Sequence, residues 1–542
     1  MGDSKKHEWW RGASLYQIYP RSFFDTTGNG VGDLCGIVER LDYVSSLGVD
    51  GIWISPFFTS PMKDFGYDVS DYRDIDPLFG TLDDFDRLIE RAHALGLKII
   101  IDQVYSHTSN QHAWFAESRE SRDNDKSDWY VWADAKRDGS PPNNWQSVFG
   151  TPAWTWDARR QQYYLHNFLS AQPDLNLHNA DVQDALLDVA RFWLDRGVDG
   201  FRLDAINFGM HDQALRNNPP APRHLRRETR PYSMQLPKYT IGHENMPRFL
   251  ERLRSLTDQY SDIMTVAEVG AMNPLPVMKD YTHGEHRLNS AYGFEFLSSP
   301  VLTAELVKKT LKDWPGEVNE GWPSWAFSNH DAPRVVSRWL PHLAHEHRVR
   351  LIALLQFSLR GNVFIYQGEE LGLTQAIVPY EKIQDPEALT NWPHTLGRDG
   401  ARTPMPWESV SPSAGFTTAD ETWLPIPDDH VARSVASQRE AENSTLEHVR
   451  SLIALRCAQP ALRLGDLDFL TARKGVLAFT RKHDGDTLVC VFNLGDEDVT
   501  WRPRVAANAD VLASVGVETE QKRGPRILPA FSGYIARARV VD

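Results

Sequence analysis

Acidic side chains interrupt the apolar runs of this chain at places where a strand should end. The stretch GVDGFRLDAINF (197–208) carries Arg202 and Asp204 among Phe201, Leu203, Ala205 and Ile206. An unpaired charge in an apolar core costs several kcal/mol, so both charges need a partner or a solvated edge. Similar runs finish near Asp102 in KIIIDQV (98–104), Glu268 in MTVAEV (264–269) and Asp331 in SWAFSNHD (324–331). Taken singly, each acid also reads as a helix N-cap or a loop anchor. Together, with no metal cage and no Gly-rich phosphate loop, they point to the chemistry of a glycosidic bond. There one carboxylate attacks the anomeric carbon while a second, protonated, gives its proton to the leaving oxygen; in a retaining mechanism they lie about 5–5.5 Å apart. Arg202 and Asp204, two residues apart, share one side of a strand. The guanidinium is expected to hold Asp204 ionised, as a nucleophile requires. Partial burial and neighbouring negative charge are expected to raise Glu268, as an acid requires.

These groups need a scaffold that brings distant segments to one place. Eight short apolar runs read as buried strands: 14–20, 51–56, 98–104, 200–206, 264–269, 290–296, 324–331 and 362–368. Amphipathic stretches lie between them, at 36–48, 82–96 and 180–197 among others. Alternation of strand and helix implies a parallel sheet, and eight strands suit an α/β fold of the (β/α)8 TIM-barrel kind, with catalytic groups at the strand ends. An open doubly wound sheet is the rival architecture. The expected division is a barrel formed by 1–106 and 177–464, a subdomain at 107–176 inserted after strand three, and a C-terminal antiparallel β-sandwich at 465–542. The insert is far longer than an ordinary connection. A second excursion, 209–245, contains NNPPAPRHLRRETRP and reads as a partly ordered flap or helical arm.

Composition narrows the partners. A net charge of −15 argues against nucleic acid and anionic membrane. No apolar run is long enough to span a bilayer, and MGDSKKHEWWRG has no secretory h-region. Three widely spaced cysteines (Cys35, Cys457 and Cys490) form neither a disulfide framework nor a zinc cluster, which suits a cytoplasmic protein. A periplasmic location stays open if a leader preceded the chain.

The motifs DQVYSH (102–107), GFRLDAINF (200–208), VAEVG (266–270) and FSNHD (327–331) resemble, in order, those of glycoside hydrolase family 13, the α-amylase family. QPDLN (172–176), WWRGASLYQIYPRSF, GRDGARTPMPW and YQGEELGL are similar to its oligo-1,6-glucosidase and α-glucosidase branch. The resemblance implies Asp204 as nucleophile, Glu268 as general acid/base and Asp331 as transition-state stabiliser. It also places Asp64, Tyr67, His107, Arg202, His330 and Arg398 around a terminal glucose, with Phe149 and Phe168 as aromatic walls; as lone residues both Phe read as core. No catalytic cofactor is implied. The loop DTTGNGVGD (25–33) resembles the branch's metal loop, in which Asp25, Thr27, Asn29, Asp33 and the Val31 carbonyl would hold a structural Ca²⁺ or Mg²⁺. Thr27 and Asn29 reduce the charge of the usual pattern, so a metal-free Asx-turn loop is the alternative. Ser106 replaces the family's usual Asn, which is expected to loosen local hydrogen bonding.

The resemblance further implies an exo-acting enzyme on short oligosaccharides or glucosides, since Asp64 and Arg398 would clamp the terminal ring. Ala205, following the nucleophile, favours α-1,4 substrates such as maltose, and sucrose, over isomaltose, because Val there goes with α-1,6 preference in this branch. A glucosyl-enzyme can also be intercepted by an alcohol, giving transglucosylation. The alternatives are a dedicated sucrose hydrolase, isomerase or glucosyltransferase with the same acids, or a non-catalytic sugar-binding or scaffold relative. A monomer or homodimer is expected.

Overall fold

The computed structural model describes residues 8–226, 230–270, 273–314, 321–409, 413–501, 510–518 and 526–538. Eight strands close into a parallel barrel: Ser14–Ile18, Gly51–Ile54, Lys98–Val104, Gly200–Asp204, Met264–Val269, Ser290–Gly293, Trp322–Ala326 and Asn362–Tyr366. Each expected run contributes one, and each strand pairs with its sequence neighbours, the last closing on the first. The third and fourth strands run in a register that sets Asp102 opposite Arg202 and Val104 opposite Asp204. The arginine and its first carboxylate are therefore placed by backbone pairing alone.

Both faces of these strands are buried, so their sequences read as continuous apolar runs rather than alternations. Helices Leu34–Ser46, Leu82–Ala94 and Ala180–Asp195 occupy the expected amphipathic stretches. Their starts are set by side chains. Asp33 and Asn179 accept first-turn N–H groups, and Thr81 with Asp84 forms a capping box.

The chain after strand three builds a small antiparallel sheet from Trp132–Ala133, Gln162–Leu165 and Trp154–Asp157. Its aromatic richness is packing: Phe115 stacks on Trp132, and Trp145 on Trp154. The excursion after strand four holds two 3-10 turns, Arg223–Leu225 and Pro231–Met234, with residues 227–229 outside the described part. It docks on the insert, where Trp145 Nε1 donates to the Arg216 carbonyl and the Asn144 side chain donates to the Asn218 carbonyl and accepts from the Asn218 N–H. Five antiparallel strands form the C-terminal sheet, in the order Asp466–Phe469, Val476–His483, Asp486–Asn493, Ser532–Arg537 and Asp510–Val515. Among the described residues no helix is long and apolar enough to cross a membrane, and the three cysteines are unpaired.

Candidate active site

Arg202 is fully buried and is the hub of the barrel mouth. Its Nη1 lies 2.6 Å from both Asp102 Oδ1 and Asp204 Oδ1, and its Nη2 lies 2.5 Å from Glu268 Oε1. The Tyr292 hydroxyl accepts from the guanidinium at 3.1 Å and donates to Glu268 Oε1 at 2.9 Å. The Ala205 N–H, next to Asp204, donates to Glu268 Oε2 at 3.2 Å. One planar cation thus grips Asp204 and Glu268 on its two terminal nitrogens, which caps the separation of the gripped oxygens at about 7.5 Å. Ala205 itself is left-handed, at φ 39° and ψ 38°, so the chain turns sharply as it leaves the strand.

Asp331 lies elsewhere than expected. The seventh strand ends at Ala326, and the acid sits five residues further on, in a turn whose Asp331 and Ala332 N–H groups donate to Asn329 Oδ1. The Asn side chain replaces the ladder and aims the acid at the mouth. Two arginines meet it there: Arg402 Nη2 at 2.8 Å and Arg398 Nη1 at 3.3 Å from Asp331 Oδ1. Arg398 also reaches Asp64 and Asp385, both at 2.8 Å through Nη2. Asp385 receives the Arg398 N–H as well, so it fixes both the backbone and the side chain of that arginine.

Aromatic and imidazole rings complete the walls. Tyr67 stacks on His330, with centroids 5.3 Å apart and planes 5° apart, and its hydroxyl donates to Asp102 Oδ2 at 3.1 Å. His107 Nε2 is 3.0 Å from the Tyr67 carbonyl. The Gln172 amide bridges His107 Nε2 and Asp64 Oδ2, each at 3.2 Å. Phe149 lies under the Arg398 guanidinium, with Phe168 between Phe149, His107 and Phe208. Every expected sugar-site residue therefore stands in one contiguous network. Ser106 does not loosen it: its hydroxyl is 3.0 Å from His107 Nδ1.

One guanidinium serving three buried carboxylates leaves negative charge in excess. Burial pushes Asp204 up to about 7, opposed by Arg202 and reinforced by Asp102 and Asp331. Burial likewise lifts Glu268 to about 7, against Arg202 and with Asp204 and Asp331, and lifts Asp102 to about 6. Arg202 thus restrains Asp204 but does not hold it low, as the sequence had suggested, because burial outweighs a cation divided among three acids. The set keeps a shared proton up to near neutrality. Asp331 differs. Burial would raise it, but the His330 ring, Arg398 and Arg402 hold its carboxyl well below the usual range.

Several partners of the site were not recognisable as such. Asp102 reads in the sequence only as a strand-end acid; Gln17, Gln172 and Arg402 lie within family-like motifs without a further signal, and Tyr292 and Asp385 lie outside them. A polar residue in a buried run, as Gln17 is in SLYQIYP, was the available clue.

The loop of Asp25, Thr27, Asn29, Val31 and Asp33 stands apart from the mouth and is committed to its own backbone. Asp25 accepts from the N–H groups of Thr27, Gly28 and Gly30 and from the Thr27 and Thr417 hydroxyls. Asp33 takes the Thr26 and Gly36 N–H groups, and Asn29 Oδ1 takes that of Val31. Donors of the loop, together with Gly36 and Thr417, occupy both carboxylates, and Thr27 presents its hydroxyl to Asp25. Both carboxylates and Asn29 are thus engaged in Asx-type turns, and among the described residues no group of three or more His, Cys, Asp or Glu is arranged to hold a metal ion.

Residues 17–465 match the model of the α-amylase catalytic domain. A probable α-glucosidase of Rhizobium meliloti (strain 1021) is 51% identical over 537 residues, spanning 98% of this chain and 97% of the relative. An oligo-1,6-glucosidase of Heyndrickxia coagulans is 38% identical, with 91% and 93% covered. The solved structure of an α-glucosyl transfer enzyme matches with a TM-score of 0.94 at 49% identity, covering 98% of this chain and 100% of that one. Likeness along nearly the whole length, on a closed barrel with buried carboxylates at its mouth, makes this chain a member of the α-amylase family and a glycoside hydrolase.

Proposed function

We propose that the enzyme is a retaining, exo-acting α-glucosidase that removes terminal glucosyl units from short oligosaccharides. The observation that carries this reading is the shared grip of Arg202 on Asp204 and Glu268, which sets two carboxyl groups side by side across one small gap. In the first step Asp204 attacks the anomeric carbon and the bond to the leaving oxygen breaks. Glu268 gives that oxygen its proton, and a glucosyl ester remains. Glu268, now a carboxylate, takes a proton from water, which attacks the same carbon; the ester bond breaks and Asp204 is released. Asp331, held ionised by two arginines, is suited to bond the sugar hydroxyls as the ring flattens.

Exo action is supported by the Asp64–Arg398 pair, which is almost completely buried and backed by Asp385 and Gln172. A terminal glucose meets this charged wall, and a longer chain on its non-reducing side has no room to pass. Tyr67 and His107 would face the ring, with Phe149 and Phe168 beside it. The small Ala205 side chain favours α-1,4 substrates such as maltose, and sucrose, over isomaltose. A relative described as an α-glucosyl transfer enzyme, 49% identical, supports transfer to alcohols as a second outcome of the same ester. A substrate panel of maltose, isomaltose, sucrose, trehalose and maltotriose, with products followed by NMR from the first minutes, tests the proposal. Initial release of α-glucose is expected; initial β-glucose refutes retention. Asp204→Asn is expected to abolish turnover of an aryl α-glucoside, and appreciable residual activity removes the nucleophile assignment.

A further inference from the structure

We propose that Gln17 is a positioning residue for the reaction: it fixes His330 as the tautomer protonated on Nε2, and so sets the direction of a hydrogen-bond chain that ends on Asp102, the carboxylate that shares an arginine with the nucleophile. The proposal rests on the α-glucosidase reading above. Gln17 lies in the first strand, 1% exposed, with its amide 2.8 Å from His330 Nδ1 and 3.1 Å from the Ser55 hydroxyl. An amide can be turned either way, so its neighbours must decide which end faces the ring.

The far nitrogen settles the matter. His330 Nε2 is 3.3 Å from Asp331 Oδ2 and 2.5 Å from the Tyr67 hydroxyl. Asp331 is ionised and only accepts, so Nε2 must carry a hydrogen there rather than a lone pair. Tyr67 then accepts from Nε2 and gives its own proton to Asp102 Oδ2, at 3.1 Å, where Trp53 Nε1 also donates at 3.2 Å. With the other tautomer, Tyr67 would turn its proton to His330, Asp102 Oδ2 would lose that donor, and Asp331 would face a lone pair. Burial keeps the imidazole neutral, holding His330 down to about 3, so it carries one hydrogen and Nδ1 must accept. The group that donates to Nδ1 is the Gln17 amide nitrogen. The chain therefore runs from Gln17 to His330, from His330 to Tyr67, and from Tyr67 to Asp102, which shares Arg202 Nη1 with Asp204.

Neutron diffraction on deuterium-exchanged crystals of the full enzyme reads the claim directly, without a variant and without turnover. Deuterium is expected on His330 Nε2 and absent from Nδ1; deuterium on Nδ1 overturns the proposal. In solution, Gln17→Glu reverses the polarity at Nδ1, because a carboxylate can only accept. Its kcat for an aryl α-glucoside is expected to fall roughly 10- to 100-fold, the scale of one lost charge-assisted bond. KM should change much less, and the kcat pH profile should gain an ionisation, with activity recovering below it, where the imidazolium again carries a hydrogen on Nε2. Gln17→Asn, which keeps an amide donor, is expected to retain more activity than Gln17→Glu. A Gln17→Glu enzyme with wild-type kcat and pH profile also overturns the proposal. Inactive wild-type enzyme would instead defeat the α-glucosidase reading and leave the neutron result standing as a test of the tautomer.

Discussion

Replacing Arg202 by Met tests the electrostatic design of the mouth most severely. The guanidinium is wholly buried and touches Asp102, Asp204 and Glu268 at 2.5–2.6 Å. With charge centres about 4 Å apart and an effective dielectric near 20, each contact is worth about 4 kcal/mol, or about three pKa units. Asp204 already sits near 7 with the arginine in place. Without it the carboxyl is expected near 10, and its ionised fraction at pH 7 falls from about one half to about one in a thousand. The assay is kcat/KM for an aryl α-glucoside from pH 5 to 10. A loss of about 10²- to 10³-fold is expected at pH 7, with the acid limb moved up by two to three units and activity partly regained at pH 9–10. Stripping the partner from buried carboxylates should cost about 3–5 kcal/mol of stability, so folding is checked by circular dichroism at each pH. Arg202→Lys, a point charge in place of a fork, should fall between the two. A folded Met variant that loses less than tenfold, with its acid limb unmoved, refutes the reasoning.

Ala205→Val should raise the isomaltose-to-maltose ratio, and because position 205 is left-handed a β-branched residue there should cost about 1–2 kcal/mol in chemical denaturation; an unchanged ratio defeats the selectivity argument. Millimolar Ca²⁺ or EDTA should leave the melting temperature within a degree or two, since Asp25 and Asp33 are occupied by donors of the loop and by Gly36; a large rise with Ca²⁺ would show that the loop rearranges to hold it. Burial pushes Asp174 up to about 8, with Asn167 opposing. Such a raised carboxyl contributes stability that is full below about 4 and lost as pH rises towards 8. Asp174→Asn lacks that slope, so its melting temperature should gain on the wild type between pH 4 and 8, by an amount worth several kcal/mol; a constant difference refutes the shift.

The barrel was legible because each of its strands is buried on both faces and so writes itself as a short apolar run. The acids were legible because charges stand out in such runs. Asp204 and Glu268 lie at strand ends, where the pattern pointed. Asp331 was misplaced onto a strand because SNHD follows the apolar SWAF with no Gly or Pro to mark the strand's end, and only the Asn329 turn shows that the ladder has stopped. Phe149 and Phe168 could not be told from core by pattern, and their place in the site came from the resemblance.

What the chain alone determined is local: strand and helix periods, caps, the identity of the acids, and the same-side placement of Arg202 and Asp204. What tertiary structure decided is how one charge is divided. Arg202 restrains three carboxylates rather than one, and two arginines hold Asp331 ionised while Asp204 and Glu268 share a proton. The physical reason is that an ionisation depends on burial and on every charge within a few ångströms. Those neighbours come from strands and loops hundreds of residues apart, which sequence spacing does not record.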